Sequence, residues 1–163
     1  MKHESHTQHS SHGNGSMYRK LALMMVLSFI AMYILMYAMV DKFSNVIVNV
    51  NQFYMAGLMA MAMLVIELAV MWSMYAKRKL NLVLLVLGII GLTAFYVCIR
   101  EQAAVGDKQF LKSMIPHHAA AILMVEETPL TDPEIRELAS KIITSQQAEI
   151  EQMKAKLKEL ESK

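Results

Sequence analysis

Two adjacent histidines, His117 and His118, follow Met114 by three and four residues. Positions three and four apart share one face of a helix. The stretch Met114-Ile115-Pro116-His117-His118 therefore sets a thioether beside imidazoles, with Met124 two turns beyond His117. Sulfur and imidazole donors suit the soft monovalent cations Cu(I) and Ag(I), whereas hard cations take oxygen. A lone histidine on an apolar face is usually core, but two in succession at these distances from a methionine are harder to explain as packing. Neighbouring side chains on a helix point about 100° apart. That leaves one histidine to bind directly and the other to orient a carboxylate such as Glu149, as partners outside a ligand sphere do.

A second set of donors lies at the amino terminus. His3, His6, His9 and His12 recur every third residue within MKHESHTQHSSHGNGS. Residues 1–16 are polar, contain Gly and Ser, and show no hydrophobic face, so they are expected to be disordered. A His-rich tract of this kind is a possible tail metal site; the competing reading is a solvated tail with no site.

The elements that must position these groups are mostly apolar. The chain has 163 residues, 55% hydrophobic and 18% charged, which is greasy for a soluble protein. Its formal charge of +2 is too small to point to nucleic acid, and its single cysteine, Cys98, allows no internal disulfide framework. Three runs qualify as membrane spans: 21–40 without a charge, 53–75 with Glu67 alone, and 80–99 without a charge. A span needs about 20 apolar residues at ~1.5 Å each. The first run is too long for a signal-peptide core and lacks a small-residue cleavage site, so it reads as a retained helix.

Lys and Arg in the short flanks set the orientation. Arg19 and Lys20 precede the first span and Lys77, Arg78 and Lys79 fill the second loop, whereas the first loop, 41–52, has only Lys42. The amino terminus and second loop are thus expected in the cytoplasm and everything beyond Ile99 outside it, which in a bacterial inner membrane is the periplasm. The tail and the Met-His stretch then lie on opposite sides.

Of 16 methionines, 12 lie between Met17 and Met74. Met25, Met32, Met36 and Met39 share one helical face, and Met59, Met63, Glu67 and Met74 share another. Methionine fills irregular apolar gaps, so packing is the plain reading; a metal-handling face is the sharper one. Glu67 is expected deep in its span, where an ionised group costs at least ~2.5 kcal/mol and turns to a bundle interior or a water-filled cavity. It is either a protonated hydrogen-bond donor between helices or an intramembrane cation or proton relay. Gly88 and Gly91 suit close helix contact, and Cys98 reads as a buried small hydrophobe.

Residues 100–163 change character, with nine basic and eleven acidic side chains, net −2. Asp107 is an N-cap for a helix over 107–127, and Pro116 inside it removes one backbone donor and should kink it. Thr131 with Glu134 fits a capping box, and Asp132 before Pro133 fits a cap with proline at the first helical position. The second helix is expected to run to about 160. Its apolar face reads Ile135, Leu138, Ile142, Gln146, Glu149, Ile150, Met153 and Leu157. Residues 104–163 thus form a helical hairpin, and 17–103 a three-helix transmembrane domain. A hairpin of this size makes a poor closed core. A second copy would complete a four-helix bundle, so a homo-oligomer, a dimer first, is expected. The inward set would be Met114, His117, His118 and Met153, with Gln146 and Glu149 nearby as possible outer partners.

The residues Asp107, Phe110, Met114-Ile115-Pro116-His117-His118, Ala121-Ile122 and Met124, followed by Ile142-Ile143, Gln146, Glu149-Ile150 and Met153, resemble the signature of the family called domain of unknown function 305. The resemblance covers about the last third of the chain. It implies a ferritin-like helical bundle outside the cytoplasm that binds copper, and silver with it. Carried over by position, Met114, His117, His118 and Met153 are the implied ligands and Met124 the next. The chain departs from that pattern in having one hairpin, so that a site could span subunits, and in carrying three membrane spans.

The resulting expectation is an all-α membrane protein that binds Cu(I) or Ag(I) for tolerance, storage or handover and performs no catalysis. A di-metal carboxylate oxidase would want Glu-x-x-His on its helices, which no helix of the hairpin carries. Two alternatives stand beside the binding role. One is an oligomeric metal channel using the Met-rich spans and Glu67. The other is a helical interaction module indifferent to metal.

Overall fold

The computed structural model describes residues 11–162, and within them every regular element is helical. His3, His6 and His9 lie outside the described residues, as does the side chain of His12. The order is α1 (Ser11–Leu35) with a 3-10 turn at Met36–Met39, a short 3-10 turn at Phe43–Asn45, α2 (Val50–Val70), α3 (Arg78–Arg100), α4 (Asp107–Glu127) and α5 (Pro133–Glu161). Three segments are long and apolar enough to cross a membrane: Gly15–Met39, Val50–Val70 and Arg78–Arg100.

The boundaries shift from those expected. Helix α1 begins at Ser11, so the last six residues of the tail read as disordered are helical. Once the apolar run downstream nucleates the helix, adding a residue costs far less than starting one. Helix α2 starts earlier than residue 53 because Asn49 caps it, its side chain accepting from Gln52 N at 2.9 Å. It also stops at Val70, short of residue 75, and turns through Met71–Met74. There Tyr75 folds back into a cluster with Leu21 and Leu68, and the Tyr75 carbonyl accepts from Asn81 Nδ2 at 3.0 Å. Glu67 accordingly sits three residues from the end of α2 and not deep in a span.

Helices α2 and α3 approach along small residues. A Cβ on Gly88 would come within 3.0 Å of Val65 Cγ2, and one on Gly91 within 2.8 Å of Met61 Sδ. This is the close contact those glycines implied. Gly57, which sequence reading passed over, is tighter still: a Cβ there would meet the Phe95 ring at 2.5 Å. Cys98 is half-buried and unpaired.

Between α3 and α4 the chain turns through Gln102 (φ 48°) and Ala104 (φ 57°), both in the left-handed region that few residues other than glycine adopt. The cap of α4 is Gly106, without a side-chain bond, and Asp107 is the first helical residue. The carboxylate still lies in the first turn, where it favours the helix dipole. Of the two start signals read for α5, the structure uses Asp132 and not Thr131 as the cap: Asp132 accepts from Glu134 N at 2.9 Å and Ile135 N at 3.1 Å, with Pro133 next.

The hairpin core joins Ile115, Ala119 and Ile122 of α4 to Ile150 and Leu157 of α5. Complete burial of an isoleucine contributes roughly 1.5–3 kcal/mol. Val40 and Ile47 from the first loop pack on the same core. Part of the apolar face that seemed to need a second copy is therefore covered by the chain's own loop. Polar contacts clamp the joint: Val50 N donates to Gln109 Oε1 at 3.2 Å, Asn51 Nδ2 to Ser113 Oγ at 3.3 Å, and Tyr54 OH to the Ala103 carbonyl at 2.9 Å. At the far end of the hairpin Ile135 and Leu138 are 50% and 57% exposed, so the expected apolar face of α5 is buried only from Ala139 onward. They lie beyond the reach of the first loop, and α4 ends at Glu127 opposite them. Near the termini of the two helices Lys112 Nζ meets Glu161 Oε1 at 2.8 Å, and its hydrogen bond holds that carboxyl below the ordinary carboxylate range.

Candidate metal centre

Helix α4 places Met114 and His117 on the face turned toward the membrane domain and Ile115, His118 and Ala119 toward α5. The consequence is a division of the sequence-predicted donors. Met114 and His117 line one cavity of about 280 Å³ at the joint, together with Met36 and Met39 at the end of the first span and Met55 in the first turns of α2. Four thioethers and an imidazole thus come to one space. The cavity wall contains no Asp, Glu, Lys or Arg; its polar members are Asn49, Asn51, Gln52 and Ser113. Among the described residues nothing hydrogen-bonds the His117 ring, which is exposed.

His118 is engaged elsewhere. It is 9% exposed, with Nδ1 3.0 Å from the Met114 carbonyl and Nε2 2.7 Å from Glu149 Oε2. Both ring nitrogens thus face oxygens of the hairpin, and His118 is not among the residues that line the cavity of Met114 and His117. The two rings stand 6.3 Å apart, inclined at 62°. His118 with Glu149 is the orienting pair anticipated for one of the two histidines.

The remaining candidates do not join this cavity. Met153 packs against the hairpin core of Ile115, Ala119, Ile122, Ile150 and Leu157. Met124 is 57% exposed on α4. Gln146 is half-buried, and its Oε1 meets no donor among the described residues. Among the described residues no three His, Cys, Asp or Glu side chains converge as a metal-holding group. A thioether site is a different donor set and depends on methionine.

Glu67 belongs to a polar cluster at the other end of the bundle. Its Oε1 accepts from Tyr75 OH at 3.0 Å, and burial first, then this bond, raises the Tyr75 hydroxyl above the ordinary phenol range. Sequence reading had flagged Met36 and Met39 but not Met55, nor the meeting of all three with Met114 and His117. The available signal was the chain order: in an up-down-up arrangement of three helices the end of the first, the start of the second and the start of the hairpin come to the same end of the bundle.

Comparison with known proteins bears on the same region. Residues 99–157 match the family described as "Domain of unknown function (DUF305)". An uncharacterized protein of Acanthamoeba polyphaga mimivirus is 38% identical over 144 residues, covering 85% of this chain and 91% of that protein. The similarity therefore extends through the membrane domain as well as the hairpin. No solved structure matches the chain.

Proposed function

The chain belongs to the family described as domain of unknown function 305, and on that footing we propose that it is a membrane-anchored binding protein for Cu(I) and Ag(I). The observation that carries this is the convergence of Met114 and His117 on one cavity with no charged wall. A soft monovalent cation is well served by thioether and imidazole without a neutralising carboxylate, whereas Mg(II), Ca(II) or Zn(II) are not. His118 and Glu149 hold the turn of α4 that presents His117. The Lys and Arg distribution supports a cavity on the face away from the cytoplasm, which in a bacterial inner membrane would be the periplasmic side. There the protein would hold copper or silver for tolerance, storage or handover. A second copy covering Met124, Ile135 and Leu138 would complete a four-helix bundle at the far end of the hairpin.

The test is anaerobic Cu(I) competition titration of the detergent-purified full chain beside Met114→Leu/His117→Ala. Even partners outside a ligand sphere are worth about 10–100-fold in affinity, so loss of two ligands should weaken binding at least about 100-fold. Absence of tight binding in the parent chain, or equal binding by the double variant, would refute the proposal.

A further inference from the structure

We infer that Met36, Met39 and Met55 of the membrane spans are ligands in the same site as Met114 and His117, so that the site is shared between membrane domain and hairpin. The inference rests on the metal-binding reading above and adds donors from a part of the chain that reading does not use. The five side chains line one cavity. Three come from the first two spans and two from α4, and the clamp of Val50, Gln109, Asn51 and Ser113 holds the two bodies together beside it.

The chemistry of the wall favours this over packing. Open space beside methionine occurs at the other end of the bundle too, where Met25 and Met61 border a cavity, but these four share their space with an imidazole. The polar lining is largely spent on the fold: Asn49 Oδ1 accepts from Gln52 N, and Ser113 Oγ donates to the Gln109 carbonyl. Asn51 Oδ1 is buried and has no donor among the described residues, so one residue of this uncharged wall carries an uncommitted acceptor oxygen. The cation class is therefore one that accepts thioether sulfur as its main ligand, Cu(I) or Ag(I). Three unbranched, flexible side chains can swing toward the ion without moving the backbone.

The shared site also joins metal occupancy to the attachment of the hairpin. An ion held from both sides should resist separation of α4 from the spans, because a ligand that binds only the docked form stabilises it.

The experiment is Ag(I) competition titration of the full chain in detergent, comparing the parent, Met36→Leu/Met39→Leu/Met55→Leu, and a control, Met59→Leu/Met63→Leu/Met71→Leu, which removes equal sulfur outside the cavity. Leucine for methionine conserves volume, and thermal unfolding of each apo variant reports whether the fold survives. The expected result is a loss of at least about 10-fold in Ag(I) affinity in the cavity triple and none in the control. If the cavity triple is unfolded, Met39→Leu and Met55→Leu singly should each weaken binding. Parent-like affinity in the folded triple or in both singles would overturn the inference, as would equal loss in the control. Where the parent binds and His117→Ala weakens it while the triple does not, the inference alone fails. Where the parent does not bind, the functional reading fails with it.

Discussion

The two ends of the three-span bundle use the same residue types to opposite effect. At the end away from the hairpin, Met17, Met24, Met25 and Met71 pack on a cluster of Leu21, Leu68 and Tyr75. Asn81 there is completely buried and partnered at both amide atoms: its Nδ2 donates to the Tyr75 carbonyl at 3.0 Å, and its Oδ1 accepts from Tyr18 OH at 2.6 Å. Lys77 N donates in turn to the Tyr18 hydroxyl at 3.2 Å. A cavity near this end is lined by Tyr18, Met25, Met61 and leucines, with no imidazole. At the hairpin end four methionines border a space they share with His117, and an asparagine oxygen meets no donor among the described residues. Methionine alone does not distinguish packing from ligation. What distinguishes them is whether the sulfur's neighbours are a filled core or an open wall with a second donor type in it.

That comparison can be broken at either end. The largest effect on stability should come from Asn81→Ala, which strips partners from the Tyr18 hydroxyl and the Tyr75 carbonyl in a buried setting. Each unsatisfied group costs roughly 1–3 kcal/mol, so a loss of about 2 kcal/mol or more is expected, read as a lowered thermal midpoint in detergent with Ag(I) affinity unchanged. A parent-like midpoint would show that this end is not closed by its polar cluster. A smaller effect is expected from Glu67→Gln. The amide oxygen still accepts from Tyr75 OH, so the stability change should stay below about 1 kcal/mol, again with Ag(I) affinity unchanged. A drop in Ag(I) binding or in metal flux into liposomes on Glu67→Gln would bring the far end into the metal path and favour the channel alternative.

Much of the architecture was legible because its signals are local. Uninterrupted apolar length marks the spans, and Asp132-Pro133 marks the start of α5. The limits of α4, Asp107 and Glu127, follow from flanking Gly106 and the turn ahead of Pro133. What failed depended on contacts between elements. Glu67 looked deep because the apolar run continues to Tyr75, but the helix ends early where Tyr75 packs back on Leu68. The apolar face of α5 extends to Ile135 by periodicity, yet among the described residues that side chain is left half exposed.

The candidate site shows the same division. Spacing singled out Met114 and His117, which line one cavity, and a contact of one histidine with Glu149 was expected and is present at His118. Periodicity could not separate the side of α4 that faces α5 from the side that faces the spans. Met153, which shares the helical face of Ile150 and Leu157, is core for that reason. Met55 carried no pattern at all; only the docking of the first loop against α4 brings it to His117.

The most direct test of a thioether-imidazole site at the joint is Ag K-edge X-ray absorption of the full chain loaded with one equivalent of Ag(I). The account predicts a first coordination shell dominated by sulfur with one lighter scatterer, the latter lost in His117→Ala. A shell of nitrogen and oxygen alone would contradict it and shift the metal to the amino-terminal histidines.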